Sequence, residues 1–327
     1  MSNFTLQLLH HADFEANPAS IENAPRFAAL LDLADDTYVG NTLKLSGGDN
    51  WLAGPWANAQ KESGPEAEVV RAAMQAAYEE HLGLESGTLS QLQLDEFQVD
   101  QAFVNLMGFQ VSAVGNHEFD SGASAKLLSV INPAIAADSE ATWENVTTMG
   151  SFFPYVTTNL DFSADEDLAD VFTETVSSDR EFGLDEAGAD ATDLSDYLVT
   201  GGASLIAPAT VVEVGGESIA VIGATTQRLN TITPEKEVVP IGSNVDDMTV
   251  LAAQLQTQID AMTSQGINKI IVVTHLQDIG NEKLLASKLS GADIILGGGS
   301  NAIFADSTDA IRDGDLVVED YPLSITG

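Results

Sequence analysis

The chain has 327 residues, and 50 acidic residues against 12 basic ones give it a formal net charge of −38. That charge disfavours binding to duplex nucleic acid or to an anionic membrane surface, because both are negatively charged themselves. The chain contains no cysteine, which excludes disulfides and thiolate chemistry, and no apolar run approaches the roughly 20 residues of a membrane span.

Short apolar runs alternate with amphipathic patterns along the chain. Strands are predicted at residues 5–9, 41–46, 109–114, 155–159, 209–214, 218–223, 269–274 and 292–296. Helices are predicted at residues 25–36, 65–82, 99–107, 124–131 and 244–266. This alternation is typical of a layered α/β fold, and a fold of that kind can form one domain at this length.

Two acidic segments, near residues 55–98 and 161–200, interrupt the alternation. Arg180 is the single basic residue between positions 161 and 196, although apolar residues are interspersed there. We interpret both segments as acidic insertions in a single domain spanning residues 1–327, and the second as an exposed, solvated excursion. Because so acidic a surface repels its own copies, we expect a monomer. The first residues have no signal-peptide pattern.

Polar side chains follow one predicted strand after another. They are, in chain order, Asp13 and Glu15, Asp49, Asn116 and His117, Asn159, and His275. Because ligands bind at the carboxyl ends of parallel strands, we expect these groups to share one rim. Carboxylate and amide oxygens can hold divalent cations, and His117, directly after Asn116, can move a proton.

Each of these residues also has a simpler interpretation. Asp13 could cap a helix, Glu15 could be a solvated acid, and the polar residues of 114–120 could satisfy the backbone of a turn. One acid after a strand is common, but a series of donors at successive strand ends favours a functional site.

The order and separation of these residues resemble the calcineurin-like metallophosphoesterases. The residues that carry the resemblance are Asp13-x-Glu15, Gly48-Asp49, Gly115-Asn116-His117-Glu118 and the strand-end His275. Residues 105–120 further resemble the 5′-nucleotidase branch. Residues 8–15, 297–301 and 320–323 resemble a bacterial, largely cyanobacterial, subgroup described as atypical alkaline phosphatases.

The resemblance implies a four-layer α-β-β-α sandwich with two mixed sheets and a centre of two divalent metal ions. Asp49 would bridge both ions. The other implied ligands are Asp13, Glu15 and Asn301 at the first ion, and Asn116 and His275 at the second. His117 would face the phosphate as a proton donor or transition-state stabiliser, oriented by Asp120. Asn116 would also contact the substrate. Apart from the resemblance, Arg228 could help to hold the phosphate, and the simpler interpretation is a surface arginine without such a role.

The chain departs from the family at three ligand positions. The sequence Gly298-Gly299-Ser300-Asn301 stands where the family usually has Gly-His-x-His, and Glu15 replaces a third histidine. The first ion would then have oxygen ligands throughout, which favours Ca²⁺ or Mn²⁺. The second ion would keep His275 and an open position at Gly299 for water or substrate, so Mn²⁺, Zn²⁺ or Fe could bind there.

We therefore predict a metal-dependent phosphomonoesterase, alkaline phosphatase or 5′-nucleotidase-like, that hydrolyses small phosphate esters or nucleotides with metal-activated water. The alternative is a degenerate cation-binding module without turnover. His117 favours the enzyme, because a structural site has no use for an imidazole beside Asn116. The resemblance also implies a periplasmic or extracellular location and a longer protein whose C-terminal substrate domain is missing here.

Overall fold

A computed structural model describes residues 4–15, 18–122, 124–173 and 205–326. The strands are β1 (Gln7–His11), β2 (Thr42–Ser46), β3 (Val111–Ala113), β4 (Ala134–Ile135), β5 (Val146–Thr148), β6 (Tyr155–Val156), β7 (Leu160–Asp161), β8 (Ile206–Ala207), β9 (Ala209–Val214), β10 (Glu217–Thr225), β11 (Val239–Pro240), β12 (Ile270–His275), β13 (Ile294–Leu296), β14 (Ile303–Phe304) and β15 (Val317–Glu319). The α-helices are α1 (Pro18–Asp35), α2 (Pro55–Gln60), α3 (Pro65–His81), α4 (Gln98–Leu106), α5 (Ser124–Ile131), α6 (Glu166–Ala169), α7 (Leu229–Ile232), α8 (Met248–Ser264) and α9 (Ile279–Ala286).

Two sheets form the centre of the domain. The first has the strand order β1-β2-β3-β6-β8, and the second has the order β13-β12-β10-β9. Apolar side chains of both sheets, including Leu45 and Val221, form one buried cluster between them. On the outer face of the second sheet, Leu255 of α8 packs in a cluster with Val272. On the outer face of the first sheet, Leu127 of α5 lies in the large core cluster. The predicted four-layer α-β-β-α sandwich is confirmed.

The first sheet is parallel in each of its described pairs, so the prediction of two mixed sheets holds for the second sheet alone. Helices lie in the connections between β1, β2 and β3, and such crossovers return the chain in the same direction. In the second sheet, β9 and β10 are antiparallel and joined by Gly215 and Gly216, with φ angles of 58° and 79°. Glycine adopts both positive values readily, as a two-residue hairpin turn requires.

Most elements begin or end at residues other than those predicted, and β1 and α1 show why. β1 extends two residues beyond the predicted 5–9, because His10 and His11 pair with β2 although their side chains are polar. α1 begins at Pro18, and Pro25, the predicted start, lies inside it. Proline favours the first turn of a helix, so either proline could mark the beginning.

Residues 55–98 pack on the domain through α2 and α3. Met74, Tyr78, Leu89 and Phe97 of this segment are buried in the large core cluster. Of the second acidic segment, residues 161–173 are described, and 174–200 lie outside the described residues. The single-domain organisation of residues 1–327 therefore stays a prediction. Within the described ranges, no helix is both long and apolar enough to cross a membrane.

The two sheets are joined at the carboxyl edge of their parallel strands. Asn159, just after β6, donates its Nδ2–H to the carbonyl of Thr225 at 2.7 Å and accepts the N–H of Thr225 at 2.9 Å. Thr225 also donates its hydroxyl to the carbonyl of Val114 at 2.6 Å. These bonds hold the ends of β3, β6 and β10 together, so the residues that follow the strands gather at one rim.

We expect Gly223→Ala to destabilise the fold by about 3 kcal/mol, because an added Cβ would clash with the carbonyl oxygen of Val156 in the facing sheet. Chemical denaturation measures the loss. Gly54→Ala is the matched control, since a Cβ there would meet no described atom within 4 Å, and it should change stability by less than about 1 kcal/mol. Equal stabilities of the two variants would show that the sheets do not touch at Gly223.

Candidate metal centre

Asp49, which follows β2, lies at the centre of the rim. Its Oδ2 is 2.8 Å from Nε2 of His275, at the end of β12, and its Oδ1 accepts the backbone N–H of His117 at 2.7 Å. The ligand atoms of Asp13, Asp49 and His275 lie within 4.8 Å of one another. The ligand atoms of Glu15, Asp49 and His117 also lie within 4.8 Å of one another. Asp49 belongs to both groups, as a carboxylate that bridges two metal ions must.

These two groups differ in membership from the predicted ligand sets. Glu15 belongs to the same group as His117 and not to that of Asp13. Asp13 belongs to the same group as His275, and its Oδ2 accepts the N–H of Gly299 at 2.9 Å. The rim thus brings together predicted ligands at the ends of β1, β2 and β12, and their division between two ions stays a prediction.

Left-handed backbone at three residues directs their side chains to the rim. Asp13, Glu15 and Asp49 have φ angles of 56°, 50° and 56°. Such a conformation costs a non-glycine residue about 1 kcal/mol or more. Hydrogen bonds hold it here, from Asp13 N–H to the carbonyl of Gly48 at 3.1 Å and from Glu15 N–H to that of Asp49 at 3.0 Å. Strain retained at a cluster of potential ligands is typical of a functional site.

The loops after β2 and β3 touch through glycine. A Cβ atom on Gly48 would lie 2.6 Å from the backbone nitrogen of Gly115, and one on Gly115 would clash with Oδ1 of Asp49. A larger residue at either position would separate the loops. These glycines therefore allow Asp49 and His117 to meet.

Glu118 holds the same two loops together. It is fully buried, and its Oε2 accepts the N–H groups of Asp49 at 2.9 Å and of Gly115 at 2.7 Å, while Oε1 accepts the N–H of Asn50 at 2.8 Å. Burial, reinforced by the charge of Asp49, raises the pKa of Glu118 to about 7. Its role was not predicted, and the one signal was its place in the Gly-Asn-His-Glu motif.

We expect Glu118→Gln to lower the free energy of unfolding by about 2–3 kcal/mol at pH 8, because its amide NH₂ would face buried N–H donors that need an acceptor. Urea denaturation with EDTA present measures this loss without any contribution from bound metal. The exposed Glu140→Gln is the control and should change stability by less than about 0.5 kcal/mol. Equal values for both variants would contradict the role of Glu118 in joining the loops.

His117 is held by Asp120. Its Nδ1 lies 2.9 Å from Oδ2 of Asp120, which also accepts the N–H of Ala53 at 2.7 Å. This contact leaves Nε2 as the ring nitrogen available to a substrate. Burial lowers the pKa of His117, but the hydrogen bond to Asp120 and the charge of Asp49 outweigh burial and raise this pKa to about 9.

The surroundings of His275 favour a proton or a metal ion at Nε2. Its Nδ1 is 2.7 Å from the carbonyl oxygen of Gly47, which can only accept, so Nδ1 carries a proton. An unprotonated Nε2 would then face Oδ2 of Asp49 with a lone pair, and the two would repel. Burial lowers the pKa of His275, but Asp49 outweighs burial and raises this pKa to about 9. A metal ion can take the place of that proton.

The donors at the rim fit divalent cations. Burial raises the pKa of Asp13 and of Glu15, and the charge of Asp49 contributes to both increases. Asp13 and Glu15 therefore resist ionisation unless a positive charge compensates them. Oxygen donors suit Ca²⁺, Mg²⁺ and Mn²⁺, and the imidazole of His275 also suits Zn²⁺ and Fe.

Asn116 and a residue absent from the prediction, Gln277, complete the rim beside His275. Asn116 is buried, and its Oδ1 accepts a hydrogen bond from Nε2 of Gln277. That same Nε2 lies 2.9 Å from Nε2 of His275. Gln277 was missed because it belongs to none of the motifs, and its one signal was its position two residues after His275.

Three residues singled out in the sequence lie elsewhere or keep untested roles. Asn159 joins the sheets and uses its amide there. Arg228, at the start of α7, is about half exposed and pairs with Asp246 at 3.9 Å. Asn301 is exposed and has a left-handed φ of 51°. The substrate role of Arg228 and the metal role of Asn301 stay predictions.

Comparison with known proteins supports the resemblance, although no family model matches the chain. The 5′-nucleotidase of Diplobatis ommata is 26% identical over 223 residues, which are 68% of this chain and 28% of that protein. The 5′-nucleotidase of Mus musculus is 27% identical over 199 residues, 61% of this chain and 25% of that protein. The chain is thus similar to 5′-nucleotidases, as the resemblance to that branch of the metallophosphoesterases implied. It spans about a quarter of the length of these curated relatives.

Two solved structures share the fold. The 5′-nucleotidase precursor from Thermus thermophilus matches over 97% of this chain and 45% of its own, with a TM-score of 0.59 and 21% identity. The NAD nucleotidase of Haemophilus influenzae matches over 97% of this chain and 47% of its own, with a TM-score of 0.54 and 21% identity. Both matches agree with the four layers described above. The finer resemblance to atypical alkaline phosphatases stays a prediction.

Proposed function

We propose that this chain is the catalytic unit of a metal-dependent phosphomonoesterase of the alkaline phosphatase or 5′-nucleotidase type. The observation that carries the proposal is the carboxylate of Asp49, shared by two ligand groups, with the imidazole of His117 beside it and held by Asp120. An oriented imidazole serves no purpose in a structural cation site, whereas hydrolysis of a phosphate ester can use its proton. The relationship to 5′-nucleotidases supports the same class of reaction.

The proposed ligands divide between two ions that share Asp49. They are Asp13, Glu15 and Asn301 for the first ion, and Asn116 and His275 for the second. Two divalent ions, when bound, would supply the positive charge that holds a phosphate and would lower the pKa of a bound water. Buried Glu118 keeps the two loops that carry Asp49 and Asn116 in contact.

The remaining residues act on the substrate. His117 presents Nε2 to the phosphate or to the leaving oxygen, since Asp120 fixes Nδ1. At that position it donates a proton or a hydrogen bond as negative charge develops. Asn116 would also contact the substrate, and Arg228 would add a positive charge to the phosphate if its weak pair with Asp246 opened.

The substrates in this proposal are small phosphate esters or nucleotides, as the names of the relatives suggest. The acidic surface supports a monomer that binds neither duplex nucleic acid nor an anionic membrane. A periplasmic or extracellular location rests on the resemblance alone.

Turnover of p-nitrophenyl phosphate, measured before and after EDTA treatment, tests the proposal. We expect release of p-nitrophenol that stops on chelation and returns when divalent ions are added back. Tight metal binding without turnover of this ester or of nucleotides would favour the second candidate, a cation-binding module that has lost catalysis.

When single cations are added to the stripped protein, hard cations should restore the most turnover. Oxygen ligands dominate the proposed first set, so we expect Ca²⁺ or Mn²⁺ to restore turnover to stripped protein and Zn²⁺ alone to fail. Each ion is added singly and in pairs while phosphate release is followed. Full recovery with Zn²⁺ alone would contradict the oxygen-rich ligand set of Glu15 and Asn301.

A further inference from the structure

The position left open by Gly299 is filled by the side chain of Gln277. A Cβ atom on Gly299 would lie 2.7 Å from Nε2 of Gln277 and 2.8 Å from Nε2 of His275. No side chain on residue 299 can share that space with Gln277 in place. The sequence predicted an open position for water or substrate there, and the structure corrects that prediction.

Gln277 reaches this space through an uncommon backbone conformation. Its φ angle is 67°, and its N–H contacts the carbonyl of Gly298 at 3.4 Å. Left-handed φ values are rare for glutamine and persist when surrounding contacts hold them. Here the contacts are made at the rim, by the amide of Gln277 with Asn116 and His275.

The end of the Gln277 side chain lies among electron-rich atoms. Its NH₂ donates to Oδ1 of Asn116 and lies 2.9 Å from Nε2 of His275, which in turn lies 2.8 Å from Oδ2 of Asp49. Without a metal ion, Nε2 of His275 carries a proton towards Asp49, and the NH₂ group of Gln277 is held by Oδ1 of Asn116. With a cation among them, the opposite end of the amide is favoured, because a metal ion binds oxygen.

We propose that Gln277 is a ligand of the second metal ion, through Oε1 after its amide turns about the last side-chain bond. This inference rests on the proposed function, since it concerns the same metal centre. The side chain takes the position of the histidine that Gly299 replaces. The second ion then has one nitrogen donor, His275, and three oxygen donors, Asp49, Asn116 and Gln277. That set moves the second ion too towards Mn²⁺ and away from Zn²⁺.

The test is Mn²⁺ binding to EDTA-stripped, desalted protein, with two readouts that do not depend on turnover. Calorimetry gives the affinity and stoichiometry, and water proton relaxation reports how many waters the bound Mn²⁺ keeps. The main variant is Gln277→Asn, which keeps the amide and tolerates left-handed backbone but is one methylene shorter. We expect it to weaken one of two Mn²⁺ sites about 10–100-fold and to add one water to that ion.

Two further variants separate a ligand from a mere hydrogen-bond donor. Gln277→Glu loses the NH₂ but keeps an oxygen at the same length, so we expect Mn²⁺ affinity equal to or tighter than that of the unmodified protein. If Gln277 only positions Asn116, the Glu variant should bind Mn²⁺ as weakly as the Asn variant. Gln265 is exposed and directly follows α8, so Gln265→Ala is the control and should bind Mn²⁺ as the unmodified protein does.

The outcomes distinguish this inference from the proposed function. Two Mn²⁺ sites with unchanged affinity and hydration in Gln277→Asn would overturn the ligand role and leave the phosphoesterase proposal standing. Failure of the unmodified protein to bind Mn²⁺ would overturn both. Circular dichroism of each metal-free variant verifies that a loss of binding is not a loss of folding.

Discussion

His117→Ala should lower kcat by about 10²–10⁴ and leave the bound metal unchanged. The imidazole is half-buried, held through Nδ1 by Asp120 at 2.9 Å, and its backbone N–H binds the carboxylate of Asp49. The substitution removes the ring and keeps that backbone contact, so Asp49 stays in place. Steady-state kinetics on p-nitrophenyl phosphate and metal analysis of the same preparation give both quantities.

The matched control for this loss is His81→Ala. His81 is exposed at the end of α3, where its ring stacks on Phe152 with centroids 6.0 Å apart. It should keep full turnover. If His117→Ala kept full turnover as well, His117 would have no part in the reaction. If it lost metal together with activity, its role would be to support the ligands.

Asp49→Asn should remove metal and turnover together. A carboxylate shared by two ions cannot be replaced by an amide, which offers a single neutral oxygen. Asparagine adopts left-handed backbone readily, so the φ of 56° is kept and the loop itself should not change. Metal analysis after gel filtration should find less than one ion per chain, and turnover should fall to background.

Asp138→Asn is the control for Asp49→Asn. Asp138 is also left-handed, with a φ of 59°, but it is exposed and distant in sequence from every proposed ligand loop. The control should retain metal and turnover. Full metal stoichiometry in Asp49→Asn would mean that Asp49 is not the bridge.

Residues directly after apolar runs were predictable because the end of a strand is a local feature of the sequence. Asp13, Asp49 and His275 each follow such a run, and parallel pairing within each sheet carries them to the same edge. The layered fold followed from the same alternation of strands and helices. The parallel arrangement of the whole first sheet could not be predicted from that alternation, since no local pattern records the direction of a neighbouring strand.

Contacts between distant loops could not be predicted in this way. Gln277 bonds to Asn116, 161 positions earlier, and Glu118 bonds to the N–H of Asp49, 69 positions earlier. Both contacts depend on how the sheets pack, and neither residue follows a strand directly. Asn159 shows the opposite case. It follows a strand as the proposed ligands do, but its amide donates to Thr225 of the second sheet instead of facing the rim.

Anomalous scattering from crystals loaded with Mn²⁺ shows whether the rim holds two metal ions. We expect two peaks about 3.5–4 Å apart, one on each side of the carboxylate of Asp49. The peak nearer His275 should have Asn116 and Gln277 as further neighbours. Peaks confined to the acidic surface, or a single peak that Asp49 does not contact, would rule out a two-metal centre at the rim.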